Sequence, residues 1–241
     1  MLITGRNAVS EALKSDATAE KLYVQKGENT GVIKNIVAIA REKRIIISFV
    51  DKTALDRITQ NARHQGVALI QTEYVYSTPE EIVEYANSTG RPPFIVIADE
   101  IEDPHNLGGI IRTAECAGVH GIIIGKHRSA SVNDTVLRCS AGAASHVRIA
   151  KVTNVNDAIK YLKEQNIYVY CADMDGEPMY NANLKGAIAL VIGGEGSGVK
   201  RLTRELADGV ISIPMQGKIN SLNASVAAAV VVYEKVRQDL K

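Results

Sequence analysis

Ala187-Ile-Ala-Leu-Val-Ile-Gly-Gly-Glu-Gly-Ser-Gly198 opens with six apolar residues in a row and closes with four glycines in six. An unbroken apolar run of strand length that ends on glycine reads as a strand buried on both faces, the kind found in parallel sheets covered by helices. Helical spacing follows over Arg201–Ala207, then a strand at Val210–Ile213 and a last helix at Leu222–Gln238. Upstream the same alternation runs back to residue 94. Strand Phe94–Ala98 leads to a helix near Leu107–Ala117, and strand Gly121–Ile124 to helix Val132–Ala141. Strand His146–Ile149 leads to helix Val155–Glu164, which is followed by strand Ile167–Ala172. Strands alternating with helices predict an α/β domain with a parallel sheet, in which ligands bind outside the carboxyl ends of the strands.

The remaining sequence divides into a small lobe at 1–75 and a linker at 76–93, leaving 94–241 for the parallel-sheet domain. The lobe reads as mixed α/β. Helices are expected at Asn7–Lys14, Val32–Lys43 and Lys52–Ala62, and strands at Lys21–Gln25, Arg44–Val50 and Val67–Thr72. Pro79, Gly90, Pro92 and Pro93 mark the linker, whose middle, Pro79–Asn87, can form a short helix. Net charge over the 241 residues is +1, which does not advertise a nucleic-acid partner. Its distribution is uneven: residues 1–77 hold 11 Lys/Arg against 8 Asp/Glu, and residues 78–241 hold 17 against 19. A slightly basic lobe can help to hold phosphates, and an ordinary solvated surface gives the same count.

Other classes are disfavoured. No apolar run approaches the ~20 residues of a membrane helix, and MLITGRNAVSEALKS has no signal-peptide core, so a cytoplasmic protein is expected. Cys116, Cys139 and Cys171 are odd in number and widely spaced, which supports neither a disulfide framework nor a zinc site and suggests small buried residues. His64, His105, His120, His127 and His146 show no metal-binding spacing, and there is no GxSxG nucleophile elbow. No metal is expected.

Three loops carry candidate chemistry. In Asp99-Glu-Ile-Glu-Asp-Pro-His-Asn-Leu-Gly-Gly-Ile-Ile-Arg112, Asn106 can cap a helix and Arg112 falls near the face of Leu107 and Ile111, a cation on a helix whose start attracts anions. A capped helix with a surface arginine explains the same residues. In Leu190–Val199, Glu195 sits among glycines, but Val199 breaks both the GxGxxG and the Walker patterns. A dinucleotide or nucleoside triphosphate is therefore disfavoured, and with it a nucleotide-dependent oxidoreductase. A turn that offers main-chain groups to an adenine or a ribose remains, as does a purely structural turn. In Ile211–Ser225, Pro214 ends a strand, Gly217 turns the chain, and Ser221 or Asn223 starts a helix. That helix is apolar nearly all round over Ala224–Val232, so it should be buried on more than one side, as a subunit interface would bury it.

Taken in order, Asn106-Leu-Gly-x-x-x-Arg112, Gly193-x-Glu-Gly-x-Gly198 and Ile213-Pro-Met through Ser221-Leu-Asn223 resemble the three motifs of the SpoU/TrmH branch of the SPOUT RNA methyltransferases. The resemblance covers residues 94–238. Gly5-Arg-Asn-Ala-Val-Ser-Glu-Ala-Leu13 and His64-Gln-Gly-Val67 are similar to that branch's RNA substrate-binding domain. The combination is most similar to bacterial enzymes that methylate a guanosine ribose in 23S rRNA. One departure is Ala224, where Val is frequent in relatives.

The resemblance implies a deep trefoil knot in the C-terminal domain, a homodimer packed through that domain, and S-adenosylmethionine as methyl donor without a metal. Knots are otherwise exceptional. By position, Gly193, Gly194, Ile213, Met215 and Leu222 would bind the cofactor. Asn106, Arg112, Glu195, Ser221 and Asn223 would form the catalytic set. A guanidinium ordinarily keeps its proton, so Arg112 is better suited to placing the ribose than to acting as base. Proton loss would be assisted by the target phosphate or by water. Alternatives are a tRNA or another rRNA ribose as target, or a catalytically silent RNA-binding or ribosome-assembly factor.

Overall fold

The computed structural model describes residues 2–14, 18–28, 30–72, 74–196 and 198–240, and the chain forms two compact units, Met1–Val75 and Tyr76–Lys241. The first contains β1 (Leu2–Thr4), α1 (Arg6–Lys14), β2 (Thr18–Gln25), α2 (Gly31–Glu42), β3 (Ile46–Val50), α3 (Lys52–Ile58) and β4 (Val67–Thr72). Its sheet runs β1-β4-β2-β3, with only β2 and β3 parallel. Val9 and Leu13 of α1 and Ile33, Ile36 and Ala40 of α2 bury against Leu22, Val24, Val67 and Leu69 of the strands. Asp51 caps α3 by accepting the Ala54 N–H at 2.7 Å. That helix stops at Ile58, short of the expected Ala62, because Gln60 and Asn61 both take left-handed backbone angles.

The second unit begins with α4 (Pro79–Ser88), started by a capping box in which Thr78 and Glu81 bond each other's backbone N–H. The stretch read from sequence as a linker thus carries a helix whose Ile82 and Val83 belong to the core. Then come β5 (Phe94–Asp99), α5 (Pro104–Cys116), β6 (Gly121–Gly125), α6 (Asp134–Cys139), β7 (Arg148–Val152), α7 (Val155–Glu164), β8 (Tyr168–Pro178), β9 (Ile188–Gly193), α8 (Arg201–Leu206), β10 (Gly209–Ser212) and α9 (Ala224–Asp239). The six strands are all parallel, in the order β10-β8-β9-β5-β6-β7. Isoleucines and valines of β5, β6 and β9 are fully buried in its centre. From β5 the chain winds outward through β6 and β7, then crosses to the far side of β9. The loops that leave β5 and β9 therefore meet over adjacent strands, at the switch point where ligands bind in such sheets.

Several expectations need correction. Asn106 does not cap α5: Asp103 does, accepting the His105 N–H at 2.9 Å, with Pro104 at the first helical position. Asn106 lies within the first turn. Helix α6 is shorter than expected, since Asn133 caps it and Ala141 turns left-handed soon after its end. Strand β8 runs past Ala172 to Pro178, held by β10 through a register shift between Val210 and Ile211. Only Cys171 of the three cysteines is buried. No helix among the described residues is long and apolar enough to cross a membrane.

Candidate functional site

The loop after β5, the glycine-rich turn after β9 and the start of α9 converge. Asn106 is 7% exposed in the first turn of α5 and donates from Nδ2 to Glu195 Oε1 at 3.1 Å. Asn223 Nδ2 donates to Asn106 Oδ1 at 2.8 Å and to Glu195 Oε1 at 2.7 Å. The Asn223 Oδ1 meanwhile caps α9, accepting from the N–H groups of Ser225 and Val226 at 3.0 and 3.3 Å. A single amide therefore begins the helix with its oxygen and joins the other two loops with its nitrogen. Glu195 gathers both amide donors on one oxygen, an arrangement that suits a carboxylate.

The turn itself is shaped by contact with its neighbours. A Cβ on Gly193 would fall 2.4 Å from the Gly198 carbonyl, and one on Gly194 would fall 2.4 Å from the Glu100 carbonyl oxygen. Only glycine permits these approaches. Ser197, within the turn, lies outside the described residues. Asp173 holds the far side, its Oδ2 accepting the Val199 N–H at 3.2 Å. Glu100 holds the near side: its Oε1 pairs with Lys200 at 2.6 Å and with Arg128 at 2.8 Å. Behind the turn, Asp99 is 5% exposed; burial pushes its carboxyl above the usual range, opposed by the Lys200 charge. Burial likewise raises the Cys171 thiol to about 12, which makes it a packing residue and not a nucleophile.

These loops enclose a cavity of about 600 Å³, within the ~300–1,000 Å³ typical of small-molecule sites. Gly193, Gly194, Glu195, Ile213, Met215, Ser221, Leu222 and Asn223 line it, so all five residues expected to bind a cofactor and three of the five expected to be catalytic meet there. Asn106 joins through its hydrogen bonds. Arg112 does not: it is exposed, away from the buried side of α5 that holds Leu107 and Ile111, and it is absent from the cavity lining. The expectation that it shares their face is thereby corrected. His105 also lies outside the cavity, with Nδ1 3.3 Å from Cys139 Sγ.

Sequence reasoning missed Asp173, Met174 and Asn220, which also line the cavity. The available signal for the first two was their place at the carboxyl end of a parallel strand. Glycine main chain, aliphatic walls and two carboxylates, with no Lys, Arg or His among the described lining residues, suit a ligand that is part nucleoside and part cation, as S-adenosylmethionine is. Among the described residues no group of three or more His, Cys, Asp or Glu is placed to hold a metal ion.

Comparison with known proteins identifies the family of the chain. Residues 93–233 match the model of the SpoU rRNA methylase family, and residues 2–77 match that of the RNA 2′-O ribose methyltransferase substrate-binding domain. A Staphylococcus haemolyticus protein named as a TrmH family tRNA/rRNA methyltransferase is 41% identical over 99% of this chain and 96% of its own length. A Bacillus subtilis protein named in the same way is 39% identical over 98% and 95%. The crystal structure of the SpoU methyltransferase AviRb from Streptomyces viridochromogenes, in complex with AdoMet, shares the fold with a TM-score of 0.62 at 24% identity, covering 99% of this chain and 90% of that one.

Proposed function

The chain belongs to the SpoU rRNA methylase family, and from that premise we propose that it is an S-adenosylmethionine-dependent RNA methyltransferase acting on the ribose 2′-hydroxyl of one guanosine in 23S rRNA. The observation that carries the reading is the Asn106–Glu195–Asn223 network at the edge of the cavity. It ties together the three segments that the chemistry requires at one place. S-adenosylmethionine, when bound, supplies an electrophilic methyl on a positively charged sulfur. Gly193, Gly194, Ile213, Met215 and Leu222 would hold it, chiefly through main-chain groups and apolar contact.

The remaining difficulty is the nucleophile, a weakly acidic alcohol that must be aligned and must lose a proton. Arg112 would place the ribose and its phosphate, with the proton leaving to that phosphate or to water. Asn106, Glu195, Ser221 and Asn223 would fix the hydroxyl's approach. The basic first unit would supply RNA contacts that depend on shape as much as on charge. Family membership supports a trefoil knot in the second unit, a cytoplasmic setting and a homodimer. Val226 and Tyr233, 47% and 48% exposed on α9, are suited to such a dimer contact.

Transfer of labelled methyl from S-adenosylmethionine to purified 23S rRNA, tRNA and unmodified ribosomal subunits tests the proposal, with the product mapped by resistance to alkaline cleavage at one phosphate. Label at a single 23S guanosine, lost in Arg112→Ala, is expected. The relatives' names cover tRNA as well as rRNA, and label only in tRNA would support that second reading. Absence of label from every RNA would favour a silent binding factor.

A further inference from the structure

The described residues that line the cavity include two carboxylates, Asp173 and Glu195, and no lysine, arginine or histidine. A ligand that carries positive charge is favoured there over an otherwise identical neutral one. Methyl transfer makes this difference itself, since the sulfonium of S-adenosylmethionine becomes the neutral thioether of S-adenosylhomocysteine. Glu195 is already committed to Asn106 and Asn223 through Oε1. Asp173 stands apart from that network. Its side chain is 11% exposed, at the carboxyl end of the regular part of β8, and its Oδ1 and Oδ2 accept the N–H groups of Met174 and Val199 at 2.8 and 3.2 Å.

Arg204, outside the cavity lining, pairs with Asp173, its Nη1 3.8 Å from Asp173 Oδ2 but closer, at 3.4 Å, to Asp175 Oδ2. Arg204 is thus shared between two carboxylates and does not neutralise Asp173 fully. We propose that Asp173 is a specificity residue that discriminates electrostatically between the methyl donor and its demethylated product, favouring entry of the first and release of the second. The proposal rests on the cofactor assignment and adds a role that the three sequence motifs do not contain.

Asp173→Asn tests it, because the amide oxygen can still accept the Val199 N–H while the charge is gone, the local bond from the Met174 N–H being lost for all ligands alike. Calorimetric titration of wild type and variant would use S-adenosylmethionine, S-adenosylhomocysteine and sinefungin, in which an amino-bearing carbon restores a positive charge at the sulfur position. The Kd of the two cationic ligands should rise about three- to tenfold in the variant. That of S-adenosylhomocysteine should change by less than about twofold. Asp175→Asn, outside the cavity lining, frees Arg204 to pair with Asp173 and should shift the Kd of the cationic ligands in the same direction by a smaller factor.

An equal rise for all three ligands in Asp173→Asn would overturn the proposal, since a residue that only shapes the turn, or that binds the amino group common to all three, acts without regard to the sulfur charge. A binding-dead variant would be resolved with Asp173→Glu, which must restore the preference for cationic ligands or refute the idea. Failure of wild-type protein to bind any of the three would overturn the cofactor assignment, and the proposal with it.

Discussion

Substituting alanine for Gly194 places the methyl group where the structure has backbone. The new Cβ would lie 2.4 Å from the Glu100 carbonyl oxygen and 3.2 Å from its carbonyl carbon, and real Cβ contacts essentially never fall under 3.0 Å. The two segments must separate by at least about 0.6 Å. Neither yields easily. Glu100 already has a left-handed φ of 56° and is held by Lys200 and Arg128, while the strand before Gly194 is central in the sheet. Overpacking of this kind costs roughly 1–3 kcal/mol, which for a chain of this size lowers Tm by roughly 3–10 °C. The same displacement acts on Glu195, one residue on, whose bond from Asn106 is already 3.1 Å long. We therefore expect S-adenosylmethionine affinity to fall by about tenfold, equivalent to ~1.4 kcal/mol. Circular-dichroism melting and calorimetric titration measure the two effects. Gly196→Ala is the comparison: its φ is 86° but nothing lies within 4 Å of the added Cβ, so it should cost only ~1 kcal/mol of backbone strain and affect binding less. A Gly194→Ala protein with Tm within about 1 °C of wild type and unaltered affinity would refute the claim that this contact sets the turn.

Arg112→Ala should leave stability within about 0.5 kcal/mol and S-adenosylmethionine Kd within about twofold, since the side chain is exposed and outside the cavity. Methyl transfer should nevertheless drop by at least ~100-fold, and equal losses of binding and turnover would contradict the assignment. Asn223→Asp keeps the helix cap but sets a second carboxylate 2.7 Å from Glu195 Oε1. Like charges that close take up a proton in the folded state, so the variant's Tm deficit should grow as pH rises from 5 to 8, and a pH-independent deficit would count against it. His120 is 2% exposed, accepts the Phe94 N–H on Nδ1 at 3.0 Å, and has its pKa lowered, first by burial and then by Arg91. Below pH ~6.5 the unfolded chain binds a proton that folded His120 refuses, so stability falls as pH drops from ~6.5 towards the depressed folded value. Melting curves of His120→Gln should show a shallower pH slope across that window, and an identical slope would refute the contribution.

Local signals made much of this architecture legible. Helix α7 could be read to the residue, because Asn154 caps it and Ala158, Ile159 and Leu162 recur on one face. The three motif loops could be placed at strand ends for the same reason. Competition between neighbouring cap residues was not resolved: Asp103 followed by Pro104 outranks Asn106, whose amide is used across the site instead. Strand β1 and the polar extension of β8 could not be read because their stability comes from partners distant in sequence, Ala68–Ile70 for one and Ile211–Ser212 for the other. Asn220 was illegible as a cavity wall for a like reason, as nothing local marks it as facing Asp173, 47 residues earlier.

The contrast between the pinned amides and Arg112 has a thermodynamic consequence. No hydrogen bond or ion pair from another described residue holds Arg112, whereas Asn106 and Asn223 are immobilised by the fold. A long guanidinium side chain carries about 2 kcal/mol of rotamer entropy. Asn106, Glu195 and Asn223 are thus ordered when the chain folds, and Arg112 only when RNA arrives. Ordering the arginine sets an entropic term against RNA capture that grows with temperature. RNA association should accordingly carry a more favourable enthalpy and a less favourable entropy than its Kd alone suggests. Arg112→Ala should shift that balance towards entropy even where the affinity itself hardly moves.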